Sequence, residues 1–219
     1  MAKTKQKSSN AWIYWMIGII AAAVIIIVIV DRQMDGGSGG AISYEDQPFI
    51  GEEDAPVSMI EFYDYLCPHC QDYQEVAIPE IKQKLIDSGK AKLYLVNLPI
   101  IGDSNKAARF GEAVFQELGS ETFVEYHEYI MGERIQEAGI FTDQYLEEAL
   151  SSVVDDEEKV EQVVSAYQDG AGEDAVSTDR ELASDLNVHQ TPTIVVDGEV
   201  FEGATFEELE QAVDEAANE

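Results

Sequence analysis

The sequence predicts an α/β domain carrying an inserted helical block, preceded by one membrane-spanning helix. Three observations carry that expectation. Residues Ala11 to Val30 form a run of 20 without a charge. Two β-forming stretches flank a helical stretch that opens on a cysteine pair, and the chain closes on a strand, hairpin and helix after a long helical block. A chain of 219 residues with 45% hydrophobic and 9% aromatic residues can build a core, in one or two domains. Its two cysteines exclude a disulfide-rich scaffold. The 44 acidic against 13 basic residues give a net charge of -31, which excludes a nucleic-acid binder.

The 20 uncharged residues, as a helix, span about 30 Å, the thickness of bilayer hydrocarbon. Trp12, Tyr14 and Trp15 suit the interfacial aromatic belt, and Lys3, Lys5 and Lys7 hold the start of the chain in the cytoplasm. The expected organisation is a cytoplasmic N-terminus over 1–10, an anchor over 11–30, a flexible tether over 31–44 around Gly36-Gly37-Ser38-Gly39-Gly40, and an extracytoplasmic domain over 45–219. A cleaved signal peptide is the rival, with Gly39-Gly40-Ala41 as a cleavage site. Its apolar region would be only about 7 to 15 residues, and Ile25 to Val30 has no small-residue pattern, which favours a retained signal-anchor.

In the outer domain, Val57 to Phe62 and Lys92 to Leu98 read as short strands. Pro68 to Ile86 between them has helical spacing, with a kink or break expected near Ala77 and Ile78 because of Pro79. Ser104 to about Asp169 is helical throughout, with a stop and start at Gly119-Ser120 and a cap at Thr142. A further helix runs from Ala175 to Leu186, with Asn187 as a left-handed cap. Asp197-Gly198 between Thr193 to Val196 and Glu199 to Phe201 signals a hairpin. Thr205 and Glu208 then form a capping box for a last helix with Leu209, Ala212, Val213 and Ala216 at helical spacing.

The chemistry concentrates in Cys67-Pro68-His69-Cys70, where a strand gives way to a helix. Cys67 at a helix N-terminus faces unpaired N–H groups and the positive dipole end, which favour its thiolate. Pro68 suits the first turn, and His69 adds a nearby polar or cationic group. Stabilising the reduced, anionic form makes a stronger oxidant. A structural disulfide over so short a loop would stabilise weakly. Zinc lacks ligands, since only His127 and His189 lie outside the motif. Haem attachment fails because position 71 is Gln, and an inert reduced pair does not suit an extracytoplasmic domain. Asp155-Asp156-Glu157-Glu158 lacks the glycine and spacing of a calcium loop. No metal or other cofactor is required, because the disulfide is itself the redox group.

Ile60-Glu61-Phe62-Tyr63-Asp64-Tyr65-Leu66 running into Cys67-Pro68-His69-Cys70, with Thr191-Pro192-Thr193 and Gly203-Ala204, resembles the DsbA-like thiol-disulfide oxidoreductases, particularly membrane-anchored BdbD-type members. The resemblance covers roughly Ala55 to Ala217 and implies a thioredoxin fold with a helical insertion over about 103–172. Phe123-Val124-Glu125-Tyr126-His127-Glu128 supports it less specifically. It further implies a cis Thr191-Pro192 bond against the cysteines, with backbone near Thr191 receiving an extended substrate; the sequence alone favours an ordinary trans proline at a strand start. Glu61 matches a buried acid linked in the family to proton transfer at the second cysteine, whereas strand alternation alone would leave it half-exposed. His127 and His189 read as surface or structural residues, and Tyr63 and Tyr65 as core or groove wall.

The expected function is therefore an extracytoplasmic oxidase that donates the Cys67-Cys70 disulfide to folding exported proteins. A quinone-linked membrane protein of the DsbB or vitamin K epoxide reductase type would reoxidise it, as the resemblance implies. A reductase or isomerase of the same fold, or a chaperone-like peptide-binding module, are the alternatives. The acidity reads as a solvated surface adapted to a high-salt exterior, where screening relieves self-repulsion.

Overall fold

The computed structural model describes residues 47–135, 137 and 139–218; the expected cytoplasmic segment, anchor and tether lie outside the described residues. Among the described residues, no helix is long and apolar enough to cross a membrane.

The strands are β1 (Phe49–Ile50), β2 (Val57–Tyr63), β3 (Ala91–Asn97), β4 (Thr193–Val196) and β5 (Glu199–Phe201). They form one sheet in the order β1-β3-β2-β4-β5. Strands β2 and β3 are parallel, in register from Val57 opposite Ala91 to Tyr63 opposite Asn97. Strands β1, β4 and β5 each run antiparallel to their neighbour. A parallel pair needs a crossover, supplied by helix α1 (Pro68–Ile81), which opens on the cysteine motif.

Every β2 residue except Ser58 is buried, because both faces of the sheet are covered. Met59 and Tyr63 face a core shared with Ile78 and Ile81 of α1 and with Leu209 and Val213 of α6 (Phe206–Ala216). Ile60 and Phe62 face the opposite core, with Val96, Val195 and Ala183 of α5 (Glu173–Asp185). By the two-residue period of a strand, Glu61 falls on the α1 side.

Between β3 and β4 the chain forms α2 (Ser104–Gly132), α3 (Asp143–Ser151), α4 (Glu157–Gln168) and α5. The helical block is interrupted after Gly132 and restarts at the expected Thr142 cap, which accepts from Tyr145 N; the further interruption after Ser151 was not expected. Gly119 stops and restarts α2 as expected, with φ 85° and ψ 176°. Gly172 at the start of α5 has φ 79°, and a Cβ there would collide with the Arg109 carbonyl oxygen. Asn187 is left-handed (φ 56°), and Asp197 (φ 47°) with Gly198 (φ 85°) makes the hairpin turn. The capping box of Thr205 and Glu208 is present in both directions.

A further local expectation needs narrowing. Helix α1 runs through Pro79 without breaking and changes to a π-helical turn over Lys82–Ile86. The proline ring lies on the exposed side, where water can serve the Glu75 carbonyl that loses its donor. Strand β1 was not anticipated, since two residues carry no periodicity.

Candidate functional site

Strand β2 ends at Tyr63, and the turn Asp64-Tyr65-Leu66 delivers Cys67 to the N-cap of α1 with Pro68 at the first helical position. Both cysteines are free thiols. Cys67 is 4% exposed and Cys70 is fully buried. The Thr191-Pro192 bond is cis, and Cys67 Sγ lies 3.4 Å from the Thr191 carbonyl oxygen, to which it donates when protonated. The loop before β4 therefore sits against the cysteine pair, as the resemblance implied.

The two thiols are driven apart in acidity. The Cys67 thiol falls to about 5, chiefly because Cys70 donates a hydrogen bond to its sulfur; burial opposes this, and the Thr191 side chain and the backbone N–H groups of Cys70 and His69 add to it. Cys70 moves well above the usual thiol range, first through that same bond and then through burial. Near neutral pH the pair is a thiolate at Cys67 and a thiol at Cys70. The helix N-terminus contributes as expected, but the leading donor is the partner cysteine. The His69 side chain is exposed, and what reaches the sulfur is its backbone N–H. The Thr191 side chain lowers the pKa of both thiols, and its hydroxyl oxygen has no hydrogen-bond partner among the described residues.

Glu61 is 1% exposed rather than half-exposed, and one carboxyl oxygen has no partner. Burial alone raises its pKa to about 8, so it is a neutral acid near pH 7. Its charge, when present, acts on Tyr73, three residues beyond Cys70, whose hydroxyl is likewise unpartnered. Glu61 therefore lies beneath the first turns of the cysteine helix. Tyr63 and Tyr65 are core residues joined hydroxyl to hydroxyl at 3.4 Å. His127 is buried against Tyr63, Tyr65 and Phe123, and burial lowers its pKa to about 3. His189 is exposed and pairs with Asn187 at 3.1 Å. No cluster of metal-ligating side chains occurs among the described residues.

Two buried acid sites escaped the sequence reading. The Asp64 carboxylate, 1% exposed, accepts from Leu66 N at 2.8 Å, Ile100 N at 2.7 Å, Ile101 N at 2.8 Å and Ser104 Oγ at 3.0 Å. Only the first of these, an Asx turn onto residue i+2, was open to reading from local sequence. Farther from the cysteines, Asp179 accepts from Gln47 Nε2 at 2.7 Å and Asn97 N at 3.0 Å, while Asn97 Nδ2 donates to Glu112 at 2.7 Å. Burial raises both acids; the nearby Asp179 adds to the rise at Glu112, whereas the hydrogen bonds from Gln47 and Asn97 hold Asp179 to about 6.

A family model described as Thioredoxin matches residues 43–215. The chain belongs to the thioredoxin family. Within it, this thioredoxin-family protein is 30% identical over 177 residues to the probable disulfide bond formation protein D of Bacillus cereus, covering 78% of the chain and 79% of the relative. It is 29% identical over 178 residues to disulfide bond formation protein D of Bacillus subtilis, covering 80% and 79%. Among solved structures, oxidised BdbD from Bacillus subtilis superposes with a TM-score of 0.74 at 28% identity, over 83% of this chain and 98% of that one. Chlamydia trachomatis DsbA gives 0.69 at 21% identity, over 84% and 95%, a likeness of fold alone. The thioredoxin-family chain is a thiol-disulfide oxidoreductase of the DsbA-like type, with a helical insertion in its thioredoxin fold.

Proposed function

We propose that this oxidoreductase is an oxidase that passes the Cys67-Cys70 disulfide to reduced proteins outside the cytoplasm while its N-terminal helix holds it at the membrane. The observation that carries the direction of transfer is the placement of Cys67 at the N-cap of α1 with Cys70 one turn on, which lowers the Cys67 pKa to about 5 and pushes Cys70 upward. A stabilised reduced form raises the potential of the couple. The naming of the Bacillus relatives for disulfide bond formation supports the same direction.

The steps balance as thiol-disulfide exchange. A substrate thiolate attacks Cys67 Sγ of the disulfide, and Cys70 leaves and takes up a proton, for which we assign the neutral carboxyl of Glu61 as the source. A second substrate thiolate attacks the substrate sulfur of the mixed disulfide. Cys67 then leaves as a thiolate, a good leaving group because its pKa is low. The substrate gains a disulfide and the enzyme carries the two electrons. Thr191 and Pro192 border Cys67, and backbone there offers strand-like hydrogen bonds that read no particular sequence. Ile100 and Ile101, exposed on the loop after β3, suit apolar segments of an unfolded chain. A quinone-linked membrane protein of the DsbB or vitamin K epoxide reductase type would restore the disulfide, and the tether would keep the two near each other.

Equilibrating the Ala41–Glu219 fragment with glutathione tests the direction. A potential well above thioredoxin, on the order of −120 to −180 mV, is the expected result. A value near −270 mV, that of thioredoxin, would make the protein a reductase.

A further inference from the structure

We propose that Asp64 is a positioning residue for thiol exchange, a buried carboxylate that locks the Cys67 turn onto the start of the helical insertion and thereby keeps the sulfur in front of its donors. The proposal rests on the thiol-exchange chemistry above, but not on whether the protein oxidises or reduces.

All three polar parts of Asp64 are engaged. Its carbonyl accepts from Cys67 N at 3.0 Å, and its own N–H acts on the Cys70 sulfur. One carboxylate oxygen takes Leu66 N, and the other takes Ile100 N, Ile101 N and Ser104 Oγ. Residues 64–67 and 100–104 thus meet on a single side chain. No basic side chain pairs with it among the described residues. Burying a carboxylate without a cation is costly, and four donors offset that cost without an evident net gain over an apolar residue. What the arrangement supplies is geometry. The donors to Cys67, namely the Cys70 thiol and two helix N–H groups, act only at short range and in alignment. A turn free to shift would lose them.

Charge and position make opposite demands here. As a bare negative charge near the sulfurs, Asp64 opposes thiolate formation, so its neutralisation would make Cys67 more acidic. As a clamp it favours the thiolate, so its loss would make Cys67 less acidic.

The test is the ultraviolet thiolate titration of Cys67 in the full-length protein carrying Asp64→Asn or Asp64→Glu, with folding checked by circular dichroism. Asp64→Asn turns donors toward donors, and the titration midpoint should rise from about 5 by roughly one unit. Asp64→Glu keeps the charge but lengthens the reach, and should also rise. A midpoint in Asp64→Asn that falls or stays at the starting value, or an Asp64→Glu protein that titrates like the parent, overturns the proposal. A purely structural role would lower the melting temperature and leave the midpoint in place. Should Asp64→Asn not fold, Ser104→Ala removes one donor and keeps the charge. It should raise the midpoint by roughly a few tenths of a unit, and an unmoved midpoint would count against the clamp. The glutathione potential of the unaltered protein decides the oxidase reading separately.

Discussion

Cys67 owes its acidity first to the other cysteine of its motif, and that dependence can be measured. Cys70→Ala removes the leading donor, so the Cys67 titration midpoint should climb from about 5 toward the ordinary thiol value, and Cys70→Ser, which keeps a hydroxyl donor, should fall between. An unchanged midpoint in the alanine variant would shift the credit to the helix N-terminus. Glu61 makes a second prediction, on stability. In the folded reduced protein it keeps its proton up to about 8, whereas in the unfolded chain it releases it near 4.5, so folding takes up a proton between these values. Stability from this group therefore declines as pH rises from about 4.5 to about 8. Glu61→Gln should be stabilising by an amount that grows across that window, on the order of a few kcal/mol at its upper end. Urea midpoints at three pH values would check it, and a constant difference would mean that Glu61 does not titrate there. Sequence led to both residues by different routes. The cysteine spacing is local chemistry, whereas the burial of Glu61 depends on α1 covering that face of the sheet, which no alternation pattern contains.

At the level of elements, signals confined to adjacent residues were legible and those depending on distant packing were not. Asp197-Gly198 and the Thr205–Glu208 box are set by two to four neighbours, and both formed as read. Thr205→Ala should cost about 1 kcal/mol, visible as a lower melting temperature. Of the kink or break expected at Pro79, the break does not occur, because the penalty depends on which side of the helix meets solvent. Thr191 and Cys67, 124 residues apart, were joined only by family resemblance. Asp64 was missed because three of its four donors lie 36 to 40 residues later. Gly119 and Gly172 offer a matched comparison. Both have positive φ, but a Cβ at Gly119 meets nothing within 4 Å, while at Gly172 it meets backbone of Arg109. Gly119→Ala, in an extended positive-φ conformation that is essentially glycine's own, should cost only the backbone strain, about 1 to 3 kcal/mol, and Gly172→Ala, where a backbone collision is added to αL strain, more than about 3 kcal/mol. Equal losses in chemical denaturation would contradict the close approach of α5 to α2.

Over the whole molecule, charge is the dominant unspecific force. From Gln33 onward nine basic residues face 43 acidic ones, since four of the 13 basic residues and one of the 44 acidic ones come earlier. Among the described residues, five of those nine cations form ion pairs, all with partners whose side chains are exposed. Each such pair is worth about 0 to 1 kcal/mol, and salt weakens them, while the same salt relieves repulsion among the many unpaired carboxylates. Repulsion should win, so the urea midpoint of the domain should rise as sodium chloride goes from about 0.05 to about 1 M. A flat or falling midpoint would remove the reading of the acidity as a high-salt adaptation. The chain between β3 and β4, finally, leaves the sheet through a loop held on Asp64 and returns through a loop that touches Cys67 at Thr191. In engineering terms these are two fixed points on one rim. A different helical cassette could be grafted over about 103–172, provided it kept the Ser104 donor to Asp64 and left α5, whose Ala183 packs with Ile60 and Phe62 and whose Asp179 accepts from Asn97 N, in place on the sheet.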